Sequence, residues 1–272
     1  MIVSLVMFIL VGIGGPTFAS DSSGFGYELI LGEFDQLRQH LFDIGNKTQQ
    51  TLPIKAVKVA LGMHEIQSCQ DTLNTTSGVF QIYPEQSTIP SMFVYCDHTV
   101  EKGGWIVVHR RFDGKLNFNR NWTEYREGFG NLQGEYWLGL EKMHLITRSA
   151  NYELLVVMKS FNGTTKSARF GRFMVASEFE NYKLILGKFM RGDARDSFFD
   201  HDGLMFSTMD RDNDRDTGSC ARSYKSGWWF SACYTVNLNG EYEEDNDSSM
   251  SWFRFFNNHN CLKEARMLIR RI

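Results

Sequence analysis

From Cys69 onward the chain is built of short apolar and aromatic runs, Phe93-Val94-Tyr95, Trp105-Ile106-Val107-Val108, Tyr136-Trp137-Leu138 and Tyr152 to Met158, parted by Gly, Asn and Asp. Runs of this length between turn residues predict strands. Helical patterning is sparser here, with Trp122 to Phe129 the clearest case. The expected fold class is therefore α+β with an antiparallel sheet. Beyond Arg191 the apolar runs thin out and Gly, Asp and Asn accumulate, so residues of about 191–272 read as a loop-rich subdomain held by something other than a large core.

The stretch before Cys69 has a different texture. From Tyr27 to Ser68 it reads helical, with Ile30, Phe34, Leu37, Leu41 and Ile44 at alternating spacings of four and three, the seam of two heptads. Pro53 interrupts, and Ile54, Val57 and Leu61 suggest a second short helix. Residues 20–65 are thus expected to form a helical, short coiled-coil segment. Two heptads are too few to stand alone, so residues 27–68 either pair between copies into a homo-oligomer or pack as an amphipathic helix on their own globular domain.

Residues 1–19 read as a signal peptide: an apolar run from Met1 to Leu10, Gly14-Gly15-Pro16, then small residues around Thr17-Phe18-Ala19. The run is about a dozen residues where a membrane span needs about 20, and no other segment is long and apolar enough. Five glycan acceptor sequons, at Asn46, Asn74, Asn121, Asn162 and Asn246, point the same way, to a secreted glycoprotein. In an oxidising compartment Cys69, Cys96, Cys220, Cys233 and Cys261 can pair. Pairing in sequential order is the economical choice and leaves Cys261 over, either as a small buried hydrophobe in a late strand or as an intermolecular bridge. The formal charge is only -3, from 29 Lys+Arg against 32 Asp+Glu, with no long basic run, which argues against nucleic acid as a partner.

The segment Asp210-Arg211-Asp212-Asn213-Asp214-Arg215-Asp216-Thr217-Gly218-Ser219-Cys220 carries four aspartates at alternate positions. Carboxylates at that density repel one another unless a cation compensates them, and hard oxygen ligands at short spacing suit calcium. The loop is not an EF-hand, because the sixth position is Arg215 rather than Gly and the twelfth is Ala221 rather than Glu. It is either a different kind of calcium loop or a solvated acidic turn, and Cys220 favours the former by tethering its end. Tyr224, Trp228, Trp229 and Tyr234 lie within or just beyond the span from Cys220 to Cys233; the tryptophans are expected to pack and the tyrosines to line a ligand pocket.

Taken together, Ser77-Gly78-Val79-Phe80-Gln81-Ile82-Tyr83-Pro84, Val94-Tyr95-Cys96-Asp97, Gly103-Gly104-Trp105, Arg110-Arg111-Phe112-Asp113-Gly114, Gly128-Phe129-Gly130, Glu135-Tyr136-Trp137-Leu138-Gly139, Phe206-Ser207-Thr208, Gly227-Trp228-Trp229 and Asn237-Leu238-Asn239-Gly240-Glu241-Tyr242 resemble the fibrinogen C-terminal domain over residues 66–272. The resemblance implies bridges Cys69 to Cys96 and Cys220 to Cys233, and calcium held by the Asp212 and Asp214 side chains with the Asp216 and Gly218 carbonyls. In the similar ficolins and tachylectins, acetylated sugars are recognised next to the calcium loop in a pocket shaped by a cis peptide, which would be Ala232-Cys233 here, with Tyr224 at the place of a pocket tyrosine. Two departures stand out. Tyr234 replaces the His that many acetyl-binding members carry, and the stretch from Tyr242 to Trp252 is short, with Glu243-Glu244-Asp245 where aromatic residues are expected.

Catalytic signatures are absent from the sequence: there is no Gly-x-Ser-x-Gly elbow and no phosphate loop, and His64-Glu65 lacks the second His of a zinc protease helix. The expectation is a secreted, calcium-dependent, lectin-like recognition protein for acetylated glycans, acting in innate immunity. Its competitor is an extracellular signalling or matrix ligand of the angiopoietin kind, binding a cell-surface glycoprotein through the same subdomain.

Overall fold

The computed structural model describes residues 38–40 and 65–272, apart from 73–75, 86–88 and 243–246. The chain divides into one unit over Met1–His64 and another over Glu65–Ile272. In the first, residues 38–40 are helical. The signal segment 1–19, most of the helical segment 20–65, the sequons at Asn46, Asn74 and Asn246, and Glu243-Glu244-Asp245 lie outside the described residues. The helical reading up to Ser68 is corrected at its end. Residues 65–67 are not helical, and Ser68 instead caps a 3-10 turn over Cys69–Asp71, its side chain and that of Asp71 closing a reciprocal capping box.

The second unit begins with strands β1 (Gly78–Ile82), β2 (Met92–Asp97) and β3 (Trp105–Arg111), followed by helix α1 (Trp122–Glu127) and the short strands β4 (Phe129–Gly130) and β5 (Tyr136–Trp137). Helix α2 (Leu140–Ser149) leads to β6 (Tyr152–Lys159), β7 (Thr165–Phe170), β8 (Phe173–Val175), β9 (Leu184–Leu186) and β10 (Phe189–Arg191). The remainder holds two single-turn helices, α3 (Cys220–Ser223) and α4 (Phe253–Phe256), with β11 (Val236–Asn237) and β12 (Ser251–Trp252). The last strand is β13 (Glu264–Arg271).

The helix read as Trp122 to Phe129 stops at Glu127. Asn121 and Glu124 form a capping box at its start, and Gly128, at φ +94°, ends it in a conformation that a side chain would oppose. A Cβ on Gly128 would also meet the Leu138 carbonyl oxygen at 2.4 Å. Helix α2, the longest among the described residues, is absent from the expectations above. It buries Leu140, Met143, Ile146 and Thr147, and polar residues such as His144 between them blur the apolar stripe.

The main sheet runs β1-β2-β3-β13-β6-β7-β10, with β5 pairing β3 and β4 pairing β5. All its pairings are antiparallel, as the α+β reading expected. Its centre is β13, which pairs Ala265 with Arg111 on one side and with Met158 on the other. The loop-rich region therefore ends before Glu264. Assigning everything from 191 to 272 to it was wrong, because the last apolar run returns across the whole domain to fill the middle of the sheet.

The expectation that residues beyond Arg191 lack a substantial core is also corrected. Phe198, Phe206, Trp228, Trp229, Phe230, Leu238, Met250 and Trp252 are all buried and belong to the same core as the sheet. Their rings pack edge to face or stacked: Phe198 lies 5.2 Å from Trp252, and Phe206 lies 5.2 Å from Trp229. Large buried rings on the loops do what runs of Val and Leu do in the strands. From the sheet side, Arg111, itself 2% exposed, donates to the carbonyls of Leu238 at 3.3 Å and Gly240 at 2.9 Å.

Candidate functional site

The acidic loop is ordered by its own side chains. The Asp214 N–H lies 3.3 Å from Asp212 Oδ1, the Asp216 N–H donates to Asp214 Oδ1 at 2.9 Å, and the Gly218 N–H donates to Asp216 Oδ1 at 2.9 Å. Each aspartate thus turns the chain onto the next, the local chemistry that makes Asp a turn residue. Asp212, Asp216 and Gly218 are exposed, while Asp214 is half-buried. Burial, with the neighbouring Asp212 charge, pushes the Asp214 carboxyl above the ordinary carboxylate range, although N–H donors from Cys220 and Asp216 oppose the shift. Among the described residues, none of Asp212, Asp214 and Asp216 forms an ion pair.

Asp210, the first of the alternating series, faces elsewhere. Its Oδ1 accepts from the Trp122 N–H at 2.9 Å and the Thr208 hydroxyl at 2.7 Å, tying the loop's entrance to the first turn of α1. Arg211 extends the same joint, with its guanidinium 3.9 Å from the centre of the Trp122 ring. Four carboxylates that look equivalent in the sequence are therefore divided into one structural anchor and three that remain on the loop.

The far end of the loop is joined to the neighbouring disulfide loop at two points. Asp214 Oδ2 accepts from the Cys220 N–H at 2.9 Å, and the Arg215 N–H donates to the Ser231 carbonyl at 3.0 Å. Cys220 and Cys233 are bridged, with Cα atoms 5.6 Å apart, and a second bridge joins Cys69 to Cys96 at 5.4 Å. The Ala232–Cys233 peptide is cis. Ala232 is exposed there, and beside it Tyr224 and Tyr234 meet edge to face at 4.8 Å, both half-buried.

The ring wall continues beyond these residues. Phe230 lies 6.1 Å from Tyr234, and His259 lies 5.0 Å from Tyr234 on its other side. The Tyr234 hydroxyl donates to the Asp247 carbonyl at 2.5 Å, and burial together with Tyr224 pushes its pKa to about 12, so it remains a neutral donor. Nothing in the sequence flagged His259, since it comes 25 positions after Tyr234 and only folding brings the rings together. Trp228 and Trp229 are fully buried and serve as packing, as their composition suggested. Cys261 is buried with its Sγ 3.3 Å from the Leu262 carbonyl, and is in neither bridge.

Two further histidines are buried, His201 against the segment from Trp229 to Val236 and His109 on β3. His201 points Nδ1 at the Trp229 carbonyl at 2.8 Å and accepts at Nε2 from the Val236 N–H at 3.1 Å, and burial lowers its pKa to about 4. His109 reaches the Leu238 carbonyl, and burial lowers it to about 3. Both are held neutral by the fold.

The family described as fibrinogen beta and gamma chains, C-terminal globular domain, matches residues 65–272, the whole of the second unit. The chain belongs to the fibrinogen C-terminal domain family. Members of this family similar to it include angiopoietin-related protein 2 of Mus musculus, 42% identical over 203 residues, and ficolin-3 of Homo sapiens, 41% identical over 179 residues. The alignments cover 72% and 64% of this chain, but 41% and 59% of those proteins. The chain thus matches less than half the length of that angiopoietin-related protein. Among solved structures, the fibrinogen-like globe domain of human ANGPTL2 superimposes with a TM-score of 0.72 at 41% identity, over 76% of this chain and 99% of that one. The fibrinogen-related fold and the antiparallel α+β architecture are those the sequence motifs implied. Among the described residues no helix is long and apolar enough to cross a membrane.

Proposed function

We propose that this chain is a secreted, non-enzymatic recognition protein that holds calcium in the loop of residues 210–220 and binds acetyl-bearing glycans on the adjoining surface. Asp212 and Asp214 would supply carboxylates to the ion, and Asp216 and Gly218 main-chain carbonyls. The donor set fits a hard cation: all oxygen, closely spaced, and in no ion pair among the described residues. Those residues contain no cluster of three or more His, Cys, Asp and Glu side chains suited to a metal, so the two carboxylates depend on carbonyls and water to complete the shell. Bound calcium would neutralise the loop's mutual repulsion and stiffen it.

The observation that carries this reading is the double attachment of the acidic loop to the disulfide loop, through Asp214 to Cys220 and through Arg215 to Ser231. An ion bound on one loop fixes the exposed Ala232–Cys233 backbone and the ring wall of Tyr224 and Tyr234 on the other. Calcium orders the recognition surface in this account and does not touch the sugar. Asn121 and Asn162, the sequons among the described residues, are both exposed, in keeping with a glycosylated extracellular protein. Microbial surfaces rich in acetylated sugars are the natural target, and innate immune recognition the corresponding role.

The signalling reading has its own support. The edge-to-face contact of Tyr224 and Tyr234 gives a ring surface suited to a protein receptor as well as to a sugar, and angiopoietin-related proteins stand beside ficolin-3 among the relatives. Capture on immobilised N-acetylglucosamine separates the two. The lectin account expects calcium-dependent retention that is abolished by EDTA and by Asp212→Ala with Asp214→Ala. Retention indifferent to both treatments would sink the proposed mechanism, and no retention together with tight binding to a cell-surface protein would favour the receptor ligand.

A further inference from the structure

On the main sheet, away from the acidic loop, Arg110 of β3 and Arg266 of β13 stand directly opposite each other in the antiparallel register. Like charges facing across neighbouring strands destabilise the pairing unless something compensates them. Part of the compensation is built in. Asp97, only 3% exposed, receives Arg266 Nη1 on Oδ2 at 2.5 Å, while its Oδ1 accepts from the Thr99 N–H at 2.8 Å and the Thr99 hydroxyl at 2.6 Å. Both oxygens of that carboxylate are thereby engaged.

Arg110 has no such partner. Its guanidinium lies 5.4 Å from the Tyr95 ring centre and 5.1 Å from that of Phe112, and its one hydrogen bond among the described residues is a long one, 3.5 Å to the Gln133 carbonyl. No ion pair to it occurs among the described residues. The two rings hold the guanidinium in place without neutralising it, so two cations and one carboxylate leave a net positive charge.

Tyr95, Asp97, Arg110 and Arg266 line a cavity of about 190 Å³ together with Ser77, Thr99 and Val107. Ser77 Oγ accepts from the His98 N–H at 2.8 Å, which leaves its own hydroxyl hydrogen to donate. The space is below the range of about 300 Å³ upward that drug-sized ligands occupy, and suits an ion carrying a small organic group. Guanidinium forks match planar or tetrahedral oxyanions, and a hydroxyl donor completes the set.

We propose that this cavity is a binding site for a small oxyanion, a carboxylate or sulfate monoester on a sugar, bridged between Arg110 and Arg266. The anion completes an alternation of charge, Arg110, oxyanion, Arg266, Asp97, and removes the cross-strand repulsion. Asp97 serves as a positioning residue that fixes one edge of Arg266 and leaves the other for the ligand. The site is independent of calcium and adds an acidic-sugar specificity to the chain.

The test is titration of the full chain, by calorimetry and by amide chemical shifts, with glucuronate and glucose 6-sulfate, with glucose as the neutral control and inorganic sulfate as competitor. Saturable binding of one or both anionic sugars is expected, with the stronger one naming the ligand's acid group, no binding of glucose, and displacement by sulfate. Arg110→Gln, whose side chain leaves no buried partner behind, should weaken binding at least about tenfold, since it removes charge-assisted hydrogen bonds. Arg266→Lys retains the Asp97 ion pair while losing the fork, and should also weaken binding. Thermal melts of both variants check that the fold is kept. Undiminished binding in Arg110→Gln, absence of saturable binding to folded wild type, or binding lost in EDTA would each overturn the proposal, the last by assigning the anion to the calcium loop.

Discussion

The sheet and the loop-rich region of residues 192–263 share one core but are held by different means. In the sheet, continuous strands supply both the hydrogen bonds and the apolar faces: β13 alone pairs eight residues with β6. In the loop region order comes from large buried rings and from side chains that satisfy the backbone, such as Trp252 Nε1 donating to the Ala194 carbonyl at 3.0 Å and Asn239 Nδ2 to the Gly227 carbonyl at 2.8 Å. Backbone ladders are repetitive and tolerate substitution. A loop fixed by single side chains depends on each of them, and gains in return a backbone free of a ladder, with carbonyls and N–H groups available for an ion or a ligand.

The most severe test of that contrast is Trp228→Ala. The ring is fully buried between the two regions, 5.2 Å from Trp229 and stacked 6.1 Å from Phe198, so its removal should cost about 3–5 kcal/mol in urea unfolding. A loss below about 1 kcal/mol would mean that the loop region does not rely on its rings. Next is the Cys220–Cys233 bridge. Replacing both with Ser should cost on the order of 3 kcal/mol, with proteolysis first appearing in 210–234 while the sheet stays protected.

Acid should act on both regions, through His201 in the loops and His109 on β3. His201 and His109 are held neutral by burial, with values lowered to about 4 and about 3, whereas the unfolded chain takes up those protons near pH 6.5. The unfolded state therefore binds more protons as pH falls through that window, and stability must fall with it. From His201 alone the loss is about 2 kcal/mol between pH 7 and pH 5, read from thermal melts. His201→Gln should flatten that part of the profile. The smallest effect is expected at Asp210. Asp210→Ala removes an anchor to α1 and should cost about 1 kcal/mol while leaving calcium affinity unchanged. A loss of calcium binding there would show that the division of the aspartates into one anchor and three loop residues is incorrect.

The same contrast decides what could be read in the sequence. Strands such as Trp105 to Val108 and Tyr152 to Met158 declare themselves, because apolar runs between turn residues have few alternative uses. The density of aspartates before Cys220 is equally visible, as is the order of family motifs. What the sequence does not display is long-range placement. The apolar run Met267-Leu268-Ile269 does not announce that it lies between β3 and β6, and Phe198, Phe206 and Trp252, each in an apolar patch of two or three residues, give no periodic sign of a shared core. Asp210 looks identical to Asp212 until Trp122 is found against it, and His259 joins the ring wall only through α4 and the turn after it. Interactions made by single side chains across the fold leave no local pattern.

The central claim is that an ion on the acidic loop orders the recognition surface next to it. It is tested most directly by hydrogen exchange of the full chain with and without calcium, read beside a calcium titration. The account predicts a saturable calcium site that slows exchange in residues 210–234, with both effects removed by Asp212→Ala with Asp214→Ala and the exchange of β6 and β13 unchanged. Calcium binding that leaves the Cys220 to Tyr234 segment as exchangeable as before, or no calcium binding at all, would contradict it.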